Sequence, residues 1–268
     1  MVDGGRGEQV KARVREQFAA SGDAYVVSAT HRSGDDLERL VELAEATPET
    51  VALDIATGGG HTALALASHV RHVTASDLVP EMLERARAFL TSKGVTNADF
   101  QVADAEDLPF ADASFDLVTC RIAPHHFADV QRAVHEVARV LRPGGLFLLI
   151  DSVAPEDPEL DEFLNEFERR RDPSHVRSYR RSEWRQFLEA AGLTVEVMET
   201  FTKRHDFDAW TGRSRLGPEG RAALEAWVLA APPAYRESLK MEIVDGRVVA
   251  HTDEKGLFKA RKPRERSE

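Results

Sequence analysis

Three groups of residues in this chain have the types and spacing to do chemistry. The first is Asp54 followed by Thr57-Gly58-Gly59-Gly60, between an apolar run at 51–56 and a helical pattern opening at His61. Consecutive glycines permit positive φ and let backbone approach a ligand closely. The unpaired N–H groups of the helix's first turn would face an anion seated over the strand end. Asp77 closes the next apolar run, His72 to Ser76. An acid at that place in a βαβ unit commonly accepts from the 2′ and 3′ hydroxyls of a ribose. Together the two features point to a nucleoside ligand. The plain alternatives are a short connector and a surface acid.

The second group is His125 and His126 in Ala123-Pro-His-His-Phe127. They follow the fourth predicted strand, at the edge where open α/β sheets bind ligands, so both are candidate general bases. The bland reading is an imidazole capping the next helix or packing under the lid. The third group is Asp172-Pro-Ser-His-Val-Arg-Ser-Tyr179, where His175, Arg177 and Tyr179 share a loop that would reach a substrate. A surface ion pair for Arg177 and a cap for His175 are the alternatives. Tyr25 and His31 are candidate ligand contacts in the linker near the N-terminus, and Trp210 and Arg213 could close the pocket from a late insertion. No metal site is expected: neither His69 with His72 nor the adjacent His125 and His126 has a third ligand at useful spacing. No Gly-Lys-Ser/Thr follows the glycines, so a P-loop is absent.

These residues must be positioned by regular elements. Val10, Val14 and Phe18 mark an amphipathic helix over 7–20, and a second helix begins near Asp35 or Asp36, either of which can cap it. From Val51 the pattern alternates strands (51–56, 72–76, 98–103, 114–121, 146–150) with helices or crossover segments, which means a parallel, doubly wound sheet. Helices follow at 158–171 and, capped by Ser182, up to Ala191, then a strand at 193–201. Residues 202–240 read as helical with breaks at Gly217-Pro218 and Pro232-Pro233, and Asp245-Gly246 is a hairpin turn. The expected fold is α/β: a Rossmann-like seven-stranded sheet, mainly parallel, with an antiparallel edge strand at 256–260. The expected division is an N-terminal helical lid (1–48), a core (49–201), a helical and hairpin insertion serving as substrate cap (202–255), and a last strand with its tail (256–268).

Composition narrows the partners. The 268 residues carry 35 basic and 46 acidic side chains, a net charge of −11, which argues against a nucleic-acid backbone or an anionic membrane. The single cysteine, Cys120, excludes an intrachain disulfide and fits a reducing compartment. With neither a membrane-length apolar run nor a secretory h-region, a cytoplasmic location is expected.

Six collinear segments carry a family resemblance. They are Leu53-Asp-Ile-Ala-Thr-Gly-Gly-Gly60, Asp77, Pro80-Glu-Met-Leu83, Asp104-Ala-Glu-Asp-Leu-Pro-Phe110, Phe115-Asp-Leu-Val118 and Val140-Leu-Arg-Pro-Gly-Gly145. Over about residues 50–151 the chain resembles the class I S-adenosylmethionine-dependent methyltransferases, in the broad group related to ubiquinone and menaquinone biosynthesis. The resemblance implies that Asp54, Ala56, Thr57, Gly58 and Gly60 hold the methionine portion of S-adenosylmethionine and Asp77 its ribose hydroxyls. Leu78 would pack against the adenine, and Met82, from the matching Pro80–Leu83 segment, is a further cofactor-binding candidate. It further implies that Asp104 accepts from the adenine amino group, that Ala105 lends its backbone, and that Arg121 lines the methionyl side. One departure is Ala56 where the family has its first glycine; alanine takes positive φ only at a cost, so ordinary backbone angles are expected there.

The reaction so implied is methyl transfer by in-line displacement to a small-molecule acceptor whose identity and reacting atom stay open. The alternative is a sensor or scaffold that binds S-adenosylmethionine or S-adenosylhomocysteine without turnover. A dehydrogenase would carry G-x-G-x-x-G, but no glycine stands at 61 or 63.

Overall fold

The computed structural model describes the backbone of residues 4–27 and 35–264, with side chains at 5–19 and 35–264. Helices α1 (Gly4–Val27) and α2 (Asp35–Leu43) precede the alternating core β1 (Val51–Ile55), α3 (His61–Ala67), β2 (His72–Asp77), α4 (Pro80–Ser92), β3 (Ala98–Val102) and β4 (Phe115–Arg121). A 3₁₀ turn (Pro124–His126) leads to α5 (Val130–Val140), β5 (Leu141–Ala154), α6 (Pro158–Arg171), β6 (Tyr179–Arg180), α7 (Arg181–Ala190) and β7 (Thr194–Asp206). Helices α8 (Phe207–Arg213), α9 (Pro218–Ala230) and α10 (Pro233–Ser238) then precede β8 (Glu242–Val244) and β9 (Arg247–Arg261).

The main sheet runs β3-β2-β1-β4-β5-β9-β7, with β6 paired to β5 and β8 to β9 off that path. Its first five strands are parallel, and β9 is antiparallel to both neighbours. The antiparallel strand is therefore one place in from the edge, not at it. The reason lies in the two sequences. Strand β7 alternates exposed polar residues from Thr194 onward, as a sheet edge tolerates, whereas Leu257, Phe258 and Ala260 of β9 are buried. Both strands also overrun the expected boundaries at 201 and 256: β5 pairs with β9 only as far as Ser152↔Lys255, and beyond it β7 and β9 continue as a two-stranded ribbon. That ribbon overhangs the carboxyl edge of the parallel strands.

Local chemistry explains most element ends. Asp129 caps α5 by accepting from the Arg132 N–H, and Val130, Val134 and Val137 bury one face. Asp157 caps α6, with Pro158 at its first position where a missing N–H costs nothing. Helix α7 departs from expectation. Its cap is Arg180, whose N–H donates to Glu183 (2.8 Å), while the Ser182 hydroxyl donates to Glu156 (2.6 Å). Asp245 and Gly246 both take positive φ (49° and 74°), the turn that joins β8 to β9.

Two apolar layers sandwich the sheet. One, with Val118, Val134, Leu149 and Trp184, lies under α5 and α7; the other, with Leu40, Leu66, Leu90 and Leu148, lies under α2, α3 and α4. A third cluster joins Phe163 and Phe167 of α6 to Trp210, Leu224 and Val228. Helix α1 packs on α4 and α8 across the carboxyl edge, so a cavity is enclosed there from both ends of the chain.

Candidate active site

One side of the cavity is built on the β1–α3 turn. Asp54 lies beneath it, sealed from solvent, and does not line the cavity. The Thr57 hydroxyl donates to one of its carboxylate oxygens (2.6 Å) and the Thr119 hydroxyl to the other (2.7 Å). Burial pushes this carboxyl up to about 6, against those bonds. Asp54 thus ties the turn to β4. Ala56 has φ +51°, so the expectation of ordinary backbone angles at this position is corrected. The strand must turn sharply there, where the Thr57 N–H donates to the Ser76 carbonyl (2.9 Å), and a methyl is the smallest side chain that can bear the strain, at about 1–2 kcal/mol. Thr57 and Gly58 line the cavity. Gly60 does not: it caps α3 at φ +84°, and a Cβ there would lie 2.6 Å from Leu90 Cδ1.

Asp77 ends β2 on the cavity wall, beside Leu78 and Met82. One of its oxygens accepts from the Gly58 N–H and the other from the Val79 N–H, both at 2.9 Å. Burial raises its pKa against those bonds and a further one from the Leu78 backbone. Asp104 and Ala105 line the same region. Asp104 accepts from the Glu106 N–H (2.9 Å) and forms an ion pair with Lys11 of α1 (2.6 Å); Lys11 also reaches Glu106 (2.8 Å). Arg121 lines the cavity and spans to α2, where Asp36 takes its Nε (2.9 Å) and Nη2 (2.7 Å). Asp36 therefore holds Arg121 in addition to opening its helix.

The other end carries the histidines. His125 Nδ1 stands 2.6 Å from Asp151 Oδ1, and the His125 backbone N–H donates to Asp151 Oδ2 (2.8 Å). Burial first, then the positive surroundings of His126, Lys255 and Arg171, hold the His125 imidazole well below its usual range, with Asp172 opposing. Burial pushes Asp151 up to about 7, opposed by Lys255, by His126 and by N–H donors at Ser152 and His125. His126 Nδ1 faces the Ser174 carbonyl (3.0 Å), an acceptor only, so this nitrogen carries a proton. The two rings lie 4.1 Å apart, and Phe18 of α1 packs edge-on against His126.

His175 also lines the cavity, its Nε2 facing Asn165 Oδ1 (3.1 Å). Arg177 and Tyr179 do not: Arg177 pairs with Asp161 (2.7 Å) and lies over the Tyr179 ring, which packs on Trp184 and Phe187. Trp210 and Arg213 line the cavity. Tyr25 falls on α1, its side chain outside the described residues, and His31 lies outside them altogether. Among the residues the sequence motifs did not single out, Lys11, Ser152, Glu168, Arg171, His205, Asp253 and Lys255 line the cavity. Asp151 had a readable signal, since it follows the apolar run Leu146–Ile150 just as Asp77 follows His72–Ser76. The alternation His251, Asp253, Lys255 on one face of β9 was the signal for the ribbon.

A sequence-family model described as a methyltransferase domain matches residues 53–149. The uncharacterized methyltransferase YcgJ of Bacillus subtilis is 45% identical over 196 residues, 73% of this chain and 78% of that protein. The chain belongs to the class I methyltransferases. The crystal structure of the YcgJ protein superposes on this methyltransferase with a TM-score of 0.83 at 39% identity, covering 85% of this chain and 98% of that one. A demethylmenaquinone methyltransferase from Deinococcus radiodurans is 36% identical over 149 residues, 53% of this chain and 61% of that protein. The methyltransferase core thus accounts for the turn, Asp77 and Asp104, while α1, α6, α8 and the β7–β9 ribbon supply the other half of the cavity.

Proposed function

We propose that this methyltransferase uses S-adenosylmethionine to methylate a small molecule. The observation that carries the reading is the polar set on one cavity wall: the turn at Thr57 and Gly58, the Asp77 carboxylate, and Asp104. These match, in order, an amino-acid moiety, a ribose diol and an adenine edge. Asp77 would accept from the ribose hydroxyls, with Leu78 and Met82 packing at the adenine. Asp104 would accept from the adenine amino group beside Ala105, an oxygen that Lys11 now shares. Arg121 would flank the methionyl side, with Asp54, Ala56 and Gly60 setting the backbone of the turn.

S-adenosylmethionine, when bound, supplies a methyl group whose bond to sulfur breaks as the acceptor atom bonds to its carbon, the electron pair staying on sulfur. The protein's part is alignment and exclusion of water, worth roughly 7–11 kcal/mol when geometry is good. Helix α1 and α8, within the proposed lid (1–48) and cap (202–255), close over the reacting groups. His125, oriented by Asp151, takes the acceptor's proton where one must leave, with His126 beside it. His175 faces the acceptor, while Arg177 and Tyr179 act behind the wall by fixing the loop that carries His175. The low cysteine content supports a cytoplasmic setting, and no described helix is long and apolar enough to cross a membrane.

Calorimetric titration with S-adenosylmethionine, S-adenosylhomocysteine and NADH tests this reading. Saturable binding of the first two alone is expected; binding of NADH alone, or of none, would overturn it.

A further inference from the structure

Lys255 is a buried ammonium on the cavity wall to which methyl transfer as described gives no task. It stands on β9 opposite Ser152 of β5, with its side chain 8% exposed. Its Nζ donates to Ser152 Oγ (2.6 Å) and to Asp253 Oδ2 (2.7 Å). An ammonium has three protons, so these bonds leave one over. The Ser152 hydroxyl, having accepted from Lys255, still has its own proton to give. Asp253 is occupied: its other oxygen lies 3.1 Å from His205 Nε2. Lys255 and Ser152 both line the cavity, and a buried donor without an acceptor is costly.

Their place in the fold matters as much. Asp151 holds His125, and the next residue of β5, Ser152, holds Lys255. The proton acceptor and the two spare donors are thus anchored at adjacent positions of one strand end. Donors placed there stabilise the oxyanion left on the acceptor when its proton passes to His125, in a site closed to water.

We propose that Lys255 and Ser152 form a seat for an anionic oxygen of the methyl acceptor, a phenolate, enolate or carboxylate. The acceptor is then a small molecule carrying an ionised oxygen, not a cationic amine, whose charge would oppose Lys255. Asp253 keeps the ammonium in place before substrate arrives. This inference rests on the methyltransferase reading, because it assigns Lys255 to the acceptor end.

The test uses the full chain loaded with S-adenosylhomocysteine and titrated with 4-nitrophenol, whose ionised form is read by its visible absorbance. Benzoate, as a carboxylate competitor, and benzylamine, as a cation, are run in parallel. Wild-type protein is expected to bind nitrophenol as the phenolate, and Lys255→Met to lose tenfold or more in that affinity while its S-adenosylhomocysteine titration is unchanged. Displacement by benzoate assigns the seat to oxyanions generally; failure to displace narrows it to phenolates and enolates. Benzylamine should not compete. Where Lys255→Met misfolds because Asp253 is left uncompensated, Asp253→Asn/Lys255→Met removes both charges and must show the same loss. Equal affinity in the variant, binding of the neutral phenol, or no binding of either anion overturns the seat. Absence of S-adenosylhomocysteine binding overturns instead the cofactor reading beneath it.

Discussion

His125 grips Asp151 twice, through its ring nitrogen at 2.6 Å and through its own backbone N–H at 2.8 Å. One residue therefore sets both the position and the tautomer of its own imidazole. With Asp151 ionised, Nδ1 carries the proton and Nε2 keeps the lone pair a base needs. Asp151→Asn is expected to lower turnover by roughly 10²–10⁴-fold, the usual worth of a positioned base, with cofactor affinity unchanged. Steady-state kinetics beside calorimetry decide it; loss of affinity with turnover intact would reject the assignment.

The same carboxyl makes a pH prediction. Burial raises Asp151 from 3.8 to about 7, so the folded chain retains a proton that the unfolded chain releases. Its contribution to stability is full below about pH 4 and is lost as pH rises through about 7. Melting temperature should therefore fall more between about pH 5 and 8 in wild type than in Asp151→Asn. Turnover should rise over the same window as Asp151 ionises. Parallel melting curves for the two proteins would count against a buried, proton-holding Asp151.

Asp77 offers a binding test at the turn itself, because its oxygens also accept from the Gly58 and Val79 N–H groups, one of which an Asn amide would oppose. Asp77→Asn keeps the shape but turns one acceptor into a donor. Hydrogen bonds to a charged group contribute about 1.5–3 kcal/mol, so S-adenosylhomocysteine affinity should drop about 10- to 100-fold. Unchanged calorimetric affinity would remove the ribose role.

Gly58 and Gly60 should respond differently to the same substitution. At Gly60 a Cβ would lie 2.6 Å from Leu90 Cδ1, at φ +84°; at Gly58, φ +53°, the nearest atom is the Met82 methyl at 3.8 Å. Gly60→Ala is expected to cost about 2–3 kcal/mol by combining backbone strain with overpacking, read as a lowered denaturant midpoint. Gly58→Ala should cost about 1 kcal/mol and show mainly in cofactor affinity. Equal stability of the two variants would contradict the geometry.

Trp210 anchors α8. It is buried, stacks on Phe167 at 4.6 Å, and lies under the Arg171 guanidinium, also at 4.6 Å. Trp210→Ala should cost about 3–5 kcal/mol and free α8 to proteolysis, with the α3 and α4 side of the core still protected in hydrogen exchange. Uniform loss of protection would mean that α8 and the core unfold as one unit.

The chain's order of apolar runs, its glycine turn and the acids that close or follow the second and third strands were enough to determine a doubly wound α/β core and the wall where Asp77 and Asp104 stand. These signals are local: a strand, a turn and a cap are made by residues a few positions apart, and their periodicity is visible without a partner. What only the tertiary structure decided was which distant residues meet. Ser152 faces Lys255, Arg121 finds Asp36, and Lys11 reaches Asp104 across long stretches of chain. The position of β9 inside the sheet followed from burial on both its faces, not from its place at the chain's end. Ala56 shows the same limit in one residue. Its φ of +51° is imposed by a turn held from outside, through Asp54 and Ser76, and local preference alone pointed the other way. The half of the cavity away from the glycine turn is assembled from α1, α6, α8 and the ribbon, so no single stretch carries its chemistry.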